Sequence, residues 1–153
     1  LIYKIKDNLE LNDIPKEPSM LGKANIVSEG KDITIVSYSN MVNVAKEAIA
    51  AEELQNFSIE LIDLQTVSPI DYDTIKTSLK KTKKLLVCQE APSNSSVGTT
   101  VISKIVESEL FQELEIAPKL VSGLHSPMPS AKHLELNVIP QVEDIATAVK
   151  SML

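Results

Sequence analysis

Two histidines, one cysteine, a few serines and two runs of charge are the residues of this chain whose types could carry chemistry. His125 and His133 stand eight residues apart on either side of Pro127-Met128-Pro129. They could give two ligands to a metal, but no cysteine pair or carboxylate pattern completes the set, so they read as loop histidines near a surface or a subunit interface. Cys88 closes the apolar run Leu85-Leu86-Val87 and reads as a buried structural thiol rather than a nucleophile. Ser95, Ser96 and Ser126 lack both a neighbouring base and the Gly-x-Ser-x-Gly elbow that would activate a hydroxyl. Glu90 follows the Cys88 strand at its carboxyl end, where α/β sheets place functional groups. It is either a hydrogen-bond anchor for the next loop or a contact to another subunit. No residue is assigned a catalytic, cofactor-binding or metal-binding role.

The charges point to partners of limited kinds. The chain has 153 residues and a net charge of −6, against the basic face that nucleic acid requires. All 15 basic residues are lysines, so no guanidinium fork is available for a phosphate or carboxylate. Lys76, Lys80, Lys81, Lys83 and Lys84 read as a solvated helix face. Glu107, Glu109, Glu113 and Glu115 line the end of another helix, either as a solvated face or as an attraction for a basic partner. The glycines, Gly22, Gly30, Gly98 and Gly123, are too scattered for a dinucleotide or Walker loop. A single cysteine excludes an internal disulfide and suits a reducing compartment. Apolar residues make up 43% and charged residues 24%, as in an ordinary globular domain, and no apolar run reaches the roughly 18–20 residues of a membrane span.

The elements that would position these residues alternate between strand and helix. Residues 1–22, with Pro15 and Pro18, read as an extended arm from a preceding domain, and Leu1 in place of Met suggests a processed chain or fragment. The compact domain is expected over 23–153. A short strand at 24–28 and a tight turn at 29–31 precede a strong strand at 32–38, where Ile33-Thr34-Ile35-Val36 suits burial on both faces. Asn40 is placed as the cap of a helix to about residue 54, with Met41, Val44, Ala45, Ala48 and Ile49 on its apolar face. Residues 58–64 form the next strand and 71–82 the next helix, acids first (Asp71, Asp73) and lysines last (Lys80, Lys81). A strand at 85–89, a long helix from 97 to about 114 and a short strand at 118–122 follow. In the long helix Val101, Ile102, Ile105, Val106 and Leu110 are expected inward. After the proline-rich loop 123–130, Pro140 opens a last helix with Val142, Ile145, Ala146, Val149, Met152 and Leu153 at helical spacing. Such alternation implies βαβ units and a largely parallel sheet covered on both faces.

Several of these segments together resemble one family. They are Leu21-Gly22-Lys23-Ala24, the run from Glu29 to Tyr38, Ile62-Asp63-Leu64 with Thr66 and Ser68-Pro69, and Glu90-Ala91-Pro92. The chain resembles the transketolase C-terminal domain of the beta subunits of thiamine-diphosphate-dependent 2-oxo acid dehydrogenases. Pro127-Met128-Pro129, Ala131-Lys132, Leu134-Glu135 and Ile139-Pro140-Gln141-Val142 are most similar to the pyruvate dehydrogenase member. The resemblance implies a three-layer, Rossmann-like α/β domain whose mostly parallel five-stranded sheet has one antiparallel strand. It implies that thiamine diphosphate and Mg²⁺ sit between the alpha subunit and the beta subunit's N-terminal domain, with no cofactor held by this chain, which alone would be inactive. The implied partners are a second beta subunit, the alpha subunit and the small basic subunit-binding domain of the dihydrolipoyl acyltransferase, docked through Glu113, Glu115 and Leu153. Gln65 stands where relatives have Arg, Ser95 and Ser96 where they have a glycine-rich loop, and His125 where they have an acid. A branched-chain 2-oxo acid dehydrogenase, a transketolase-like synthase and a free-standing interaction module stay as alternatives. The implied compartment is bacterial cytoplasm, mitochondrial matrix or plastid.

Overall fold

The computed structural model describes residues 20–153, so most of the expected arm at 1–22 lies outside the described residues. Five strands form one sheet in the order β1-β3-β2-β4-β5. They are β1 (Asn25–Ser28), β2 (Ile33–Ser37), β3 (Ile59–Asp63), β4 (Leu85–Pro92) and β5 (Lys119–Gly123). β1 runs antiparallel to β3, and every other pairing is parallel. The helices are α1 (Met41–Ala50), α2 (Tyr72–Thr82), α3 (Val97–Val106), α4 (Lys132–Glu135) and α5 (Val142–Lys150). This is the expected three-layer arrangement with one antiparallel strand.

β2 is central because its residues tolerate burial on both sides. All five are buried, and the side chains divide by strand alternation. Ile33 and Ile35, with Leu61, Leu86 and Cys88, pack on α1 and α5. Val36, with Ile62, Leu85 and Val87, packs on α2 and α3. The chain steps from β2 to β3 on one side of the sheet and then back past β2 to β4. Right-handed crossovers in these opposite directions put α1 and α2 on opposite faces. Thr34 is the polar exception in β2. Its hydroxyl lies 2.6 Å from both Ser78 and Thr82 on α2, so its buried oxygen is satisfied.

The turn at 29–31 does not make a hairpin. It carries the chain over the start of β3, which lies between β1 and β2. The Lys31 and Asp32 amides both donate to the Ser58 carbonyl at 2.8 Å. A Cβ on Gly30 would sit 2.2 Å from the Glu60 nitrogen and from the Ile59 carbonyl carbon, so only glycine lets the two backbones cross.

Two helices are shorter than their apolar periodicity suggests. The expected helix from 40 stops at Ala50 and is followed by a 3₁₀ turn, Glu52–Leu54. Asn40 is helical in conformation and its side chain makes no capping bond. The helix at 97 stops at Val106, and a separate 3₁₀ turn, Glu109–Glu113, follows. Ser108 donates its hydroxyl back to the Ile105 carbonyl at 2.7 Å, closing the helix, and Val106 is left exposed rather than inward. Among the described residues no helix is long and apolar enough to cross a membrane.

Candidate functional site

The residues expected to dock a partner gather at one end of the sheet, where the parallel strands begin. The chain crosses there from one face to the other: Leu114 packs with the α2/α3 core and Ile116 with the α1/α5 core. Glu115 sits between them. Its amide donates to the Lys83 carbonyl at 3.0 Å, and its carboxylate meets Lys84 at 2.9 Å. That hydrogen bond and the lysine charge hold the Glu115 carboxyl below the usual range. Glu113, two residues earlier, is exposed and lines a groove of about 660 Å³ with Glu109, Leu110, Asp73, Lys76 and Lys80. Phe111 in the same 3₁₀ turn is exposed beside it. α5 reaches this end from the opposite face, where Lys119 donates to Ser151 at 2.7 Å and Lys150 pairs with Glu53. Leu153 follows with its side chain exposed, while Met152 is buried. Glu113, Glu115 and Leu153 thus share one end of the domain, with Leu153 on the α1/α5 side.

The opposite end, where strands β2, β3 and β4 finish, is shaped by backbone that L-residues rarely adopt. Ser39, Gln65 and Ser95 follow these strands with φ of 58°, 51° and 48°. Each such conformation costs a non-glycine residue about 1 kcal/mol. At Ser95 this explains why a glycine-rich loop suits the position. β2 and β4 are neighbours whose helices leave to opposite faces, which makes the gap between their carboxyl ends the switch point of the sheet. Tyr38 and Glu90 follow β2 and close β4 there, near enough for the Glu90 charge to act on the Tyr38 hydroxyl. Burial, and then the Glu90 charge, push the Tyr38 hydroxyl above its ordinary pKa.

Anchoring of the loop after β4 falls to Gln89 rather than to Glu90. The buried Gln89 amide donates to the carbonyls of Ala91 and Pro92 at 2.9 and 3.1 Å and accepts the Gly98 amide at 2.7 Å. Glu90 is left half-buried at the switch point. Ser96 begins α3 through a reciprocal bond pair with Thr99, 3.2 Å to the Thr99 amide and 3.0 Å back to its own. That is a capping role, which accounts for its burial.

The remaining candidates separate. Cys88 is fully buried, and burial pushes its thiol far above the ordinary value, which makes it inert as a nucleophile. His125 and His133 are exposed, His125 beside Pro92, Ser126 and Pro127. No three His, Cys, Asp or Glu among the described residues are placed to hold a metal ion. The lysine cluster is only partly a solvated face, since Lys81 pairs with Glu60 and Lys84 with Glu115.

Two acids are buried: Asp71, whose place at the start of a helix is legible in the sequence, and Glu60, which carries no local signal. Glu60 is 1% exposed in β3, and Asp71 is 4% exposed at the start of α2. Burial pushes the Glu60 carboxyl up, but bonds from Lys81, Ser78 and the Gly30 amide, with the Lys81 charge, bring it below the ordinary value. Asp71 follows the same logic through Thr74, the Ala24 amide and Lys23. A slot of about 320 Å³ opens beside Glu60, lined by Ile26, Asp73, Thr74, Thr77, Ser78 and Lys81. In the segment after β5, Leu124, Met128, Leu134 and Leu136 are all exposed.

Residues 22–145 match the family described as "Transketolase, C-terminal domain". The pyruvate dehydrogenase E1 component subunit beta of Rickettsia bellii is 39% identical over 136 residues, 89% of this chain and 42% of its own. The mitochondrial subunit beta-2 of Oryza sativa subsp. japonica is 38% identical over 130 residues, 85% of this chain and 34% of its own. This chain therefore spans about two fifths or less of these curated relatives. A solved chain described as "Split gene transketolase, inactive beta4 tetramer" shares the fold with a TM-score of 0.72 at 23% identity, covering 92% of this chain and 44% of its own. With its sheet order, its single antiparallel strand and the match over most of its length, this chain belongs to the transketolase C-terminal domain family.

Proposed function

We propose that this chain is the assembly and docking domain of the beta subunit of a thiamine-diphosphate-dependent pyruvate dehydrogenase. The observation that carries this reading is the 36–39% identity to pyruvate dehydrogenase beta subunits from bacteria and mitochondria, sustained over 85–98% of the chain. In the intact enzyme pyruvate would be decarboxylated on thiamine diphosphate and the acetyl unit passed to a lipoyl group. The cofactor and Mg²⁺ would be held by the alpha subunit and the beta subunit's N-terminal domain. The glycines here support that division. A Cβ on Gly30, Gly98 or Gly123 would strike this domain's own atoms, so these positions serve internal packing rather than a phosphate cradle.

The chain's own part is contact. Glu109 and Glu113 line a groove shared with Asp73, Lys76 and Lys80, and Phe111, between them in the same 3₁₀ turn, is exposed. That combination suits a small basic module such as the acyltransferase's subunit-binding domain. The apolar group Leu124, Met128, Leu134 and Leu136 supports self-association or packing on another subunit.

Sedimentation velocity of this chain, alone and with the subunit-binding domain at low and moderate salt, tests the reading. A complex whose affinity falls with salt is expected. A chain that ignores the module at both salt concentrations would remove the docking role.

A further inference from the structure

We propose that Asp71 is a latch that fixes how the chain enters this domain, joining residues 22–24 to the loop 64–71 through the carboxylate that also caps α2. One Asp71 oxygen accepts the Ala24 amide at 3.1 Å and the Thr74 hydroxyl at 2.8 Å; the other accepts the Thr74 amide at 3.2 Å. Lys23 adds its ammonium at 3.7 Å from outside. The same loop takes hold one step earlier. Thr66 accepts the Gly22 amide at 3.2 Å, and Gly22, at a φ of 75°, leaves room for Pro69, whose Cγ would lie 2.9 Å from a Cβ there.

Apolar burial is slight in this segment, where only Ala24 packs, partly buried, on the α2/α3 core. Met20 and Leu21 are 72% and 88% exposed, and the first two residues of β1 face solvent. The polar contacts are therefore the main hold on residues 22–24. Because one carboxylate serves both sides, displacing the incoming segment also leaves the α2 cap one donor short. Loop 64–71 lies at the carboxyl end of β3, so residues 22–24 are held at the sheet end that carries Tyr38 and Glu90.

The test is amide exchange in Asp71→Ala and Asp71→Asn, with Thr66→Val beside them. In Asp71→Ala the Ala24 and Thr74 amides are expected to exchange at least tenfold faster, while Val36 in the central strand holds within twofold. Trypsin should cut after Lys23 at least tenfold faster. Asp71→Asn keeps the shape and one acceptor, which can still cap α2, so it tests the latch even if the alanine variant fails to fold; in it the Ala24 amide should lose protection. Thr66→Val should free Gly22 and leave Ala24 protected. If Thr74 alone loses protection, Asp71 is only a helix cap and the proposal fails. If Val36 rises together with Ala24 in both Asp71 variants, the carboxylate supports the whole fold and the latch is equally refuted.

Discussion

Replacing Lys81 with methionine should cost about 2 kcal/mol near neutral pH, a figure set by the unequal burial of its ion pair. Glu60 is 1% exposed, while the Lys81 side chain is 42% exposed. Removing one partner of a fully buried pair costs about 3–5 kcal/mol, and an exposed pair contributes about 0–1. This pair has one end in each regime. Methionine keeps most of the stem, so the change isolates the charge. For a domain of this size the loss corresponds to a fall in Tm of roughly 4–8 °C.

The pH dependence supplies the sharper test. In the parent chain the Glu60 carboxyl is held below its ordinary value, so its stabilisation is present above that value and lost as pH falls through the lowered one. Without Lys81 the carboxyl loses its strongest lowering contact and its countercharge, keeping only the Ser78 and Gly30 bonds, and burial should then raise it. The variant then regains stability as acid protonates Glu60, and the gap to the parent should narrow below about pH 5. Urea unfolding near neutral pH and at about pH 4.5 reads both effects. Adding Glu60→Gln should recover at least about 1 kcal/mol, because a neutral amide needs no countercharge. Equal midpoints at neutral pH, or a gap that widens in acid, would show that the pair is not what makes Glu60 tolerable in the core.

Gly30→Ala should abolish or severely weaken folding, by about 3 kcal/mol or more, because the new methyl meets β3 backbone at 2.2 Å. Gly98→Ala meets only the ends of Gln89 and Leu120 side chains at 2.6 Å, and should cost about 1–2 kcal/mol. Thermal melts that rank the two the other way would contradict the packing described. Cys88 should react with a thiol reagent only as fast as the chain unfolds, since the group is fully buried and its thiolate disfavoured; rapid labelling of the native chain would count against it. Glu113→Lys should weaken a basic partner about fivefold at low salt and Glu115→Lys less, because Lys84 already offsets the Glu115 charge. Equal losses in a titration would place both carboxylates in the contact.

What the sequence made legible was whatever depends on near neighbours. The β-branched run 33–36 predicted a strand buried on both faces, and β2 is that strand. The acid-to-lysine gradient over 71–82 predicted α2, down to Asp71, which accepts the Thr74 amide. Glu113, read as a solvated or partner-facing carboxylate, is exposed, whereas Leu153, placed at helical spacing with the apolar residues of the last helix, is exposed rather than packed. Partners brought by the fold were not legible. Glu60 reads as one polar residue in an apolar strand, and its acceptability rests on Gly30 and Lys81, 30 and 21 residues away. The break after Val106 was hidden because Leu110 continues the helical spacing although it packs from a separate 3₁₀ turn. Gln89 was overlooked beside Glu90 because a charge at a strand end draws attention that a neutral amide does not.

The two buried acids answer one structural problem. β1 is an edge strand that starts with exposed residues and pairs with the sheet on one side only, so burial alone would hold it weakly. Asp71 takes the Ala24 amide just before β1, and Glu60 takes the Gly30 amide just after it. Each acid is then balanced by one lysine that keeps contact with water, Lys23 or Lys81. With no arginine in the chain, neither carboxylate can be met by a guanidinium fork, and backbone N–H groups take up acceptor capacity that a fork would fill. Pinning the strand therefore also helps satisfy the buried charges. The cost of burying two carboxylates is offset at the two points where the chain enters the sheet and crosses over it, which is why these acids, and not the exposed ones, should control how firmly the incoming segment is held.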